Sequence, residues 1–229
     1  MSVGSGAAGS PPTPKQFLSI GGVPVLVHCL RAFLAVSRVE SIYVAVRKTE
    51  MQRVREQIAE FGLAGKVHVV EGGDLRQQSV SNALSVLVAE TGCGADDVIL
   101  VHDAARPLID PATIDRTIDA VAEHGAAIVG LPAVDTIKQV ERTAHGAIIT
   151  ATIPRERIVQ AQTPQGARYS LLQRAFSEAA DDEFAATDEA SLLERAGIEV
   201  AVVPGSARNF KITQPGDLEL AEFYLAAAK

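Results

Sequence analysis

Residues 97–107, Asp-Val-Ile-Leu-Val-His-Asp-Ala-Ala-Arg-Pro, set a carboxylate and a guanidinium at the end of a short apolar run. Such a run reads as a strand buried on both faces, as in a parallel sheet. Open parallel sheets take their ligands just beyond the carboxyl ends of their strands. There Asp103 can hold a divalent cation, and Arg106, three residues on, can grip a phosphate through paired N–H donors. The plainer alternative is a turn in which Asp103 caps the next helix and Arg106 is solvated. His102 at the buried strand end reads as a residue that orients its neighbours rather than one that transfers protons.

Six further short motifs could act with this one. Pro14-Lys15-Gln16-Phe17-Leu18 follows a Gly-rich leader, and Glu71-Gly72-Gly73-Asp74-Leu75-Arg76-Gln77-Gln78-Ser79 joins a strand to a helix. Asp135-Thr136-Ile137-Lys138, Thr163-Pro164-Gln165, Thr187-Asp188-Glu189-Ala190-Ser191 and Arg208-Asn209-Phe210-Lys211-Ile212-Thr213 come later. Each has a bland reading. Lys15 alone is a solvated loop lysine, Gly72-Gly73 an ordinary strand-to-helix turn, Ser79 an exposed helix position, and Arg155 a solvated hairpin charge. Arg76 either supports its loop or lies in solvent. Asp188 and Glu189 look structural, a helix cap after Thr187. No Ser-His or Cys-His arrangement offers a covalent nucleophile.

The elements that must position these residues follow from periodicity. A helix opened by Pro24 buries Leu26, Leu30, Phe33 and Leu34, and Ser41–Val46 is a strand. Thr49 and Gln52 resemble a capping box before a helix carrying Met51, Val54, Ile58 and Phe61. Strands at Val67–Val70 and Val98–His102 flank a helix through Val80, Leu84 and Leu87. Asp110-Pro111 caps the next helix, and Ala126–Leu131 is again a strand. This alternation indicates crossover units and a mainly parallel sheet. Residues 134–158 break the rhythm and read as a projecting hairpin that turns near Gly146. A helix from Tyr169, a strand at Glu199–Val203 and a last helix opened by Pro215 complete the chain.

Composition fits one α/β domain spanning residues 1–229: 47% of residues are hydrophobic, only 4% aromatic, and Trp is absent. A formal charge of −7 argues against a nucleic-acid or anionic-membrane surface. It leaves room for a small phosphorylated substrate bound by a local cationic cluster. Cys29 and Cys93 lie far apart, form no metal-ligand spacing, and read as buried thiols in a reducing cytoplasm. No segment has the length of a membrane span or the form of a signal peptide.

In order and spacing, the seven motifs resemble the 2-C-methyl-D-erythritol 4-phosphate cytidylyltransferases of the non-mevalonate isoprenoid pathway, from Pro14 to about Leu225. The resemblance implies a Rossmann-like nucleotidyltransferase fold, a mainly parallel twisted sheet with helices on both faces and a projecting β-arm at about 134–158. It also implies a reaction: methylerythritol phosphate attacks the α-phosphorus of CTP and expels pyrophosphate with Mg²⁺ present. Catalysis of that kind is mostly positioning and electrostatic stabilisation.

By the same resemblance, Lys15 stabilises charge at the α-phosphate, and Lys211 and Arg155 orient the attacking phosphate. Gly73, Asp74, Ser79 and Ala104 contact the nucleotide. Asp103 is the Mg²⁺ ligand, and Arg106, Thr136 and Thr163 contact the second substrate. Thr136 and Arg155 belong to the arm, which in the family crosses to a partner subunit, so a homodimer is expected. A relative acting on another polyol phosphate, such as ribitol 5-phosphate, is the alternative.

The amino end departs from the family pattern. Relatives begin with an apolar strand in the middle of the sheet and a Gly-rich turn with an Arg, whose amides cradle the triphosphate. Residues 1–14 are an irregular Gly/Ser/Pro-rich leader with no apolar run, and Ala8 stands at the Arg position if Gly4-Ser5-Gly6 is that turn. Met1 therefore reads as an internal Met of a longer protein. The chain as written is expected to be impaired in activity and solubility.

Overall fold

The computed structural model describes residues 17–227. Lys15 and the leader lie outside the described residues. A tight hairpin of β1 (Ser19–Ile20) and β2 (Val23–Pro24) leads into α1 (Val25–Leu34). Then come β3 (Ile42–Val46), α2 (Met51–Glu60), β4 (Val67–Glu71), α3 (Arg76–Thr91) and β5 (Val98–Val101). The second half runs α4 (Pro111–His124), β6 (Ala126–Pro132), β7 (Ile137–Thr143), β8 (Gly146–Ile153), β9 (Val159–Arg168), α5 (Tyr169–Asp181), α6 (Glu189–Arg195), β10 (Ala201–Pro204) and α7 (Pro215–Ala226).

Local chemistry accounts for most boundaries. The Asp110 carboxylate accepts the Thr113 N–H at 2.8 Å and caps α4, with Pro111 at its first turn. Gly92 ends α3 at φ 66°, a left-handed conformation that a Cβ disfavours. Pro24 precedes α1 as its N-cap. The expected capping box at Thr49 does not form: a single 3₁₀ turn, Lys48–Glu50, fills that place, and Glu50 caps α2 without a side-chain bond.

The α/β architecture and the hairpin arm are as expected, but the sheet is mixed rather than mainly parallel. Four strands pair in the order β10-β6-β9-β5. β10 and β6 are parallel, while β9 runs antiparallel to both β6 and β5. The reason lies in the connection. β9 returns straight from the β7–β8 hairpin, with no crossover helix to reverse its direction.

β3 and β4 form a separate parallel pair. Between β3 and β5 lies an apolar slot of about 430 Å³, walled by Leu26 and Phe33 of α1 and by Val80 and Leu84 of α3. The slot explains a second difference. Val98–Val101, expected to be buried on both faces, is half-buried along its whole length, and α3 has no fully buried residue. Elsewhere packing is closed. Leu172, Leu192 and Leu193 of α5 and α6 are buried under Ala126 and Ala167, and Ile114 and Ile118 of α4 pack on Phe33 and Val36.

Candidate active site

The site is assembled at the carboxyl end of β5. Residues 102–106 turn sharply there, held by the Arg106 N–H on the Asp103 carbonyl at 2.9 Å. The Asp103 Oδ1 accepts the Ala105 N–H at 3.0 Å, and its Oδ2 pairs with Lys211 Nζ at 2.6 Å. Lys211 arrives on the segment before α7, which the Ile212 N–H docks onto the Ala105 carbonyl at 2.8 Å. Burial raises the Asp103 pKa, but the Lys211 ammonium and the Ala105 N–H outweigh it and hold the carboxyl below its usual range. Arg106 lies beside them, its guanidinium donating to the Asn209 carbonyl at 2.7 Å. Burial pulls the Arg106 pKa down, and the charge of Asp103 opposes that pull.

His102 and Thr163 lock this turn. The Arg106 carbonyl can only accept, so His102 Nε2, at 3.1 Å from it, carries the ring proton. Nδ1 then accepts the Thr163 hydroxyl at 3.0 Å, and the same hydroxyl oxygen accepts the Asp103 N–H at 3.0 Å. Every member of this chain has one consistent role, and His102 serves as the orienting residue expected of it. Burial pushes its pKa down to about 4.

The sign of the resulting pH effect is fixed. The ordinary value is about 6.5, so the unfolded chain takes the proton first as pH falls, and stability is lost between about pH 6.5 and 4. The loss amounts to about 3 kcal/mol. His102→Gln should flatten that part of the stability curve, read as urea midpoints against pH. Equal slopes for the two proteins would contradict the assignment.

Asn209 was quoted in the sequence motif without a role. It is 1% exposed, and its amide donates to the Thr163 carbonyl at 2.8 Å and to Gln162 Oε1 at 3.3 Å. Among the described residues the buried Arg106 Nε has no hydrogen-bond partner. That leaves a donor aimed for an external acceptor such as a phosphate oxygen.

A second group sits on the β4–α3 loop, where a cleft of about 410 Å³ runs between Ala45–Arg47 and Gly73–Arg76. The missing side chains of the two glycines leave room for the first turn of α3. A Cβ on Gly72 would meet Ser79 Oγ at 2.9 Å, and one on Gly73 would collide with Gln78. Ser79 Oγ accepts the Gly73 N–H at 3.0 Å and bonds the Leu75 carbonyl at 3.1 Å. Ser79 therefore ties the loop to the helix. Asp74 is exposed at the loop's tip.

The structure brings Asp103, Ala104, Arg106, Thr163 and Lys211 together, with Cys29 Sγ on the Ala104 carbonyl at 3.3 Å. Thr136 and Arg155 stand apart at the base of the arm. Both are exposed, and Arg155 donates to the Val134 carbonyl at 2.7 Å. No hydrogen bond or ion pair among the described residues joins either to the Asp103 cluster.

A Mg²⁺ ion commonly takes one or two carboxylates and completes its shell with phosphates and water. Among the described residues no group of three or more His, Cys, Asp or Glu could cage a metal. The Asp103 carboxylate, with Lys211 and Arg106 beside it, is the group here whose chemistry fits such an ion.

The sequence profile of IspD, 2-C-methyl-D-erythritol 4-phosphate cytidylyltransferase, matches residues 1–227. The chain belongs to this cytidylyltransferase family. Among its relatives, the 2-C-methyl-D-erythritol 4-phosphate cytidylyltransferase of Acidobacterium capsulatum is 68% identical over 221 residues, 96% of this chain and 91% of the relative. The crystal structure of a 4-diphosphocytidyl-2C-methyl-D-erythritol synthase superposes with a TM-score of 0.79 at 33% identity, over 93% of this chain and 95% of that one. The Francisella tularensis cytidylyltransferase gives 0.77 at 33% identity, covering 92% of each chain. As a member of this family the chain is a nucleotidyltransferase.

Proposed function

We propose that this chain transfers CMP from CTP to 2-C-methyl-D-erythritol 4-phosphate in isoprenoid precursor biosynthesis, giving 4-diphosphocytidyl-2-C-methyl-D-erythritol and pyrophosphate. The observation that carries the reading is the convergence of Asp103, Lys211 and Arg106 on one strand end, where Asp103 and Lys211 line the same slot as Arg76 and Ser79 of the first turn of α3. An oxygen of the methylerythritol phosphate forms the new bond to the α-phosphorus, and the α–β phosphoanhydride bond breaks. No covalent enzyme intermediate and no general base are needed, because the attacking phosphate oxygen is already anionic. Lys211 and Arg106 hold that phosphate against the repulsion of the triphosphate. The chain formed by His102, Thr163 and Asn209 keeps both cations in place.

Asp103 would hold a Mg²⁺ ion, which when bound neutralises the triphosphate and the departing pyrophosphate. Lys15 adds charge at the α-phosphate, and Asp74 and Ala104 bound the cytidine side. Two free cysteines fit a reducing cytoplasm, and no helix among the described residues is long and apolar enough to cross a membrane. Incubation with CTP, Mg²⁺ and methylerythritol phosphate, read by mass spectrometry, should yield the diphosphocytidyl product. A cytidylyl product from ribitol 5-phosphate alone would move the assignment to that substrate.

The arm completes the site of a second subunit in a homodimer. Ile148 and Ile149 on β8 are 63% and 60% exposed and have no packing partner in their own chain's core. Such a surface marks an interface. Arg155 and Thr136 then reach the methylerythritol phosphate of the partner. If so, Arg155→Met and Lys211→Met subunits, each inactive alone, should restore about a quarter of the wild-type rate on mixing, because half the dimers carry one intact site. Absence of any recovery after subunit exchange is verified would exclude the shared site.

A further inference from the structure

Asp103, Arg106 and Lys211 belong to the half of the molecule built on the four-stranded sheet. The Gly73 loop belongs to the other half, since β3 and β4 pair only with each other among the described residues. A nucleotide that spans the cleft needs the two halves at a fixed separation. Within its own half the loop is tightly held: the Gly72 N–H donates to the Val46 carbonyl at 2.8 Å, and the Leu75 N–H donates to Gln78 Oε1 at 3.2 Å. With Ser79 bound to Gly73, the loop moves with the first turn of α3.

That first turn is fastened across the cleft. Arg76 donates through Nη1 and Nη2 to the two carboxylate oxygens of Glu189, each at 2.7 Å, over 113 residues of sequence. The Glu189 side chain is 1% exposed. Gln77 Oε1 accepts the Ala186 N–H at 3.0 Å beside it. Glu189 opens α6, whose N-cap Asp188 accepts the Gln165 amide at 2.9 Å, and Gln165 Oε1 accepts the Ala190 N–H at 3.0 Å. Gln165 is 2% exposed and stands two residues from Thr163, which receives the Asp103 N–H. A route of hydrogen bonds joined by short stretches of backbone therefore runs from the Gly73 loop through Arg76, Glu189, the start of α6, Gln165 and Thr163 to Asp103.

We propose that the Arg76–Glu189 pair is a positioning clamp that sets the Gly73 loop at its working distance from Asp103 and so tunes nucleotide binding. This rests on the reading that the loop receives CTP. A guanidinium fits the role because its two parallel donors fix direction as well as distance, which a lysine cannot do. Removing Arg76 alone strands the buried Glu189 carboxylate, so that single removal threatens the fold. Replacing both partners by apolar residues of similar volume is tolerated.

The test compares wild type with Arg76→Met/Glu189→Met and with Arg76→Lys. Melting temperature, CTP affinity in the presence of Mg²⁺ by calorimetry, and KM for each substrate are measured. With both variants folded, the expected result is a roughly tenfold loss of CTP affinity in the double variant and a smaller loss in Arg76→Lys, with KM for methylerythritol phosphate nearly unchanged. A folded double variant with wild-type CTP affinity and kcat overturns the clamp. Equal losses for both substrates also overturn it, since they mark general loosening. A wild-type protein that binds no CTP removes the functional reading itself, and the clamp with it.

Discussion

Asp103→Asn is expected to lower kcat by about 10²–10³-fold at saturating CTP, Mg²⁺ and methylerythritol phosphate, the range typical for loss of one electrostatic group at a transition state. The substitution is isosteric, and asparagine keeps an oxygen for the Ala105 N–H that Asp103 now receives at 3.0 Å. What disappears is the charge. Lys211 loses the partner that holds it at 2.6 Å, and a divalent cation loses the one carboxylate offered to it. Two readouts separate these losses from unfolding. The melting temperature should move by only a few degrees, and the Mg²⁺ concentration for half-maximal rate should rise. A kcat within threefold of wild type, with unchanged Mg²⁺ dependence, would show that Asp103 is only part of the turn.

The second large effect concerns the slot between β3 and β5. Its walls are the edges of two strands and the apolar faces of α1 and α3, and its volume is about 430 Å³. An apolar strand of about five residues, tethered to the amino end, should enter it and join the two sheets. Each large apolar side chain buried there contributes about 1.5–3 kcal/mol. Ordering the backbone costs about 1–2 kcal/mol per residue. Closing the ladder adds about 0.5–1.5 kcal/mol per hydrogen bond. The net is several kcal/mol, and for a chain of this size the melting temperature rises by about 10 °C. A matched extension with alternating Lys and Glu is the control. If both extensions leave the melting temperature unchanged, the slot is not a strand site.

The slot also shows which parts of the fold could be read from the sequence. Val98–Val101 was legible as a strand because it is continuous, apolar and bounded by charged residues. Its burial was not legible, since burial depends on what lies beside it, and the slot leaves it half-exposed. Likewise β9 was not legible as a strand. Thr163-Pro164-Gln165 carries little strand propensity, and only pairing with β5 and β6 makes it one. Hairpin, helix and cap signals are local, and Asp110, Gly146 and Pro215 mark their elements as expected.

At the site, residue types at a strand end were enough to single out Asp103 and Arg106. Lys211 and Thr163 came with the family resemblance, since nothing local connects either to Asp103 over the 108 and 60 residues between them. The partner of Arg76 was out of reach for the same reason. A salt bridge across 113 residues leaves no trace in spacing or periodicity. The fit of Gly72 and Gly73 against Ser79 and Gln78 depends on how α3 meets the loop, which spacing alone does not give. Asn209 lies between Arg208 and Phe210, two residues before Lys211, and nothing in that local pattern marks it as buried.

Pyrophosphate release is the most direct test of the central claim. The 229-residue chain is supplied with CTP, Mg²⁺ and methylerythritol phosphate, and in parallel with ribitol 5-phosphate. The account predicts release with methylerythritol phosphate, in amounts matching the diphosphocytidyl product, and little with ribitol 5-phosphate. Release with ribitol 5-phosphate alone, or none with either substrate from the folded protein, would contradict it.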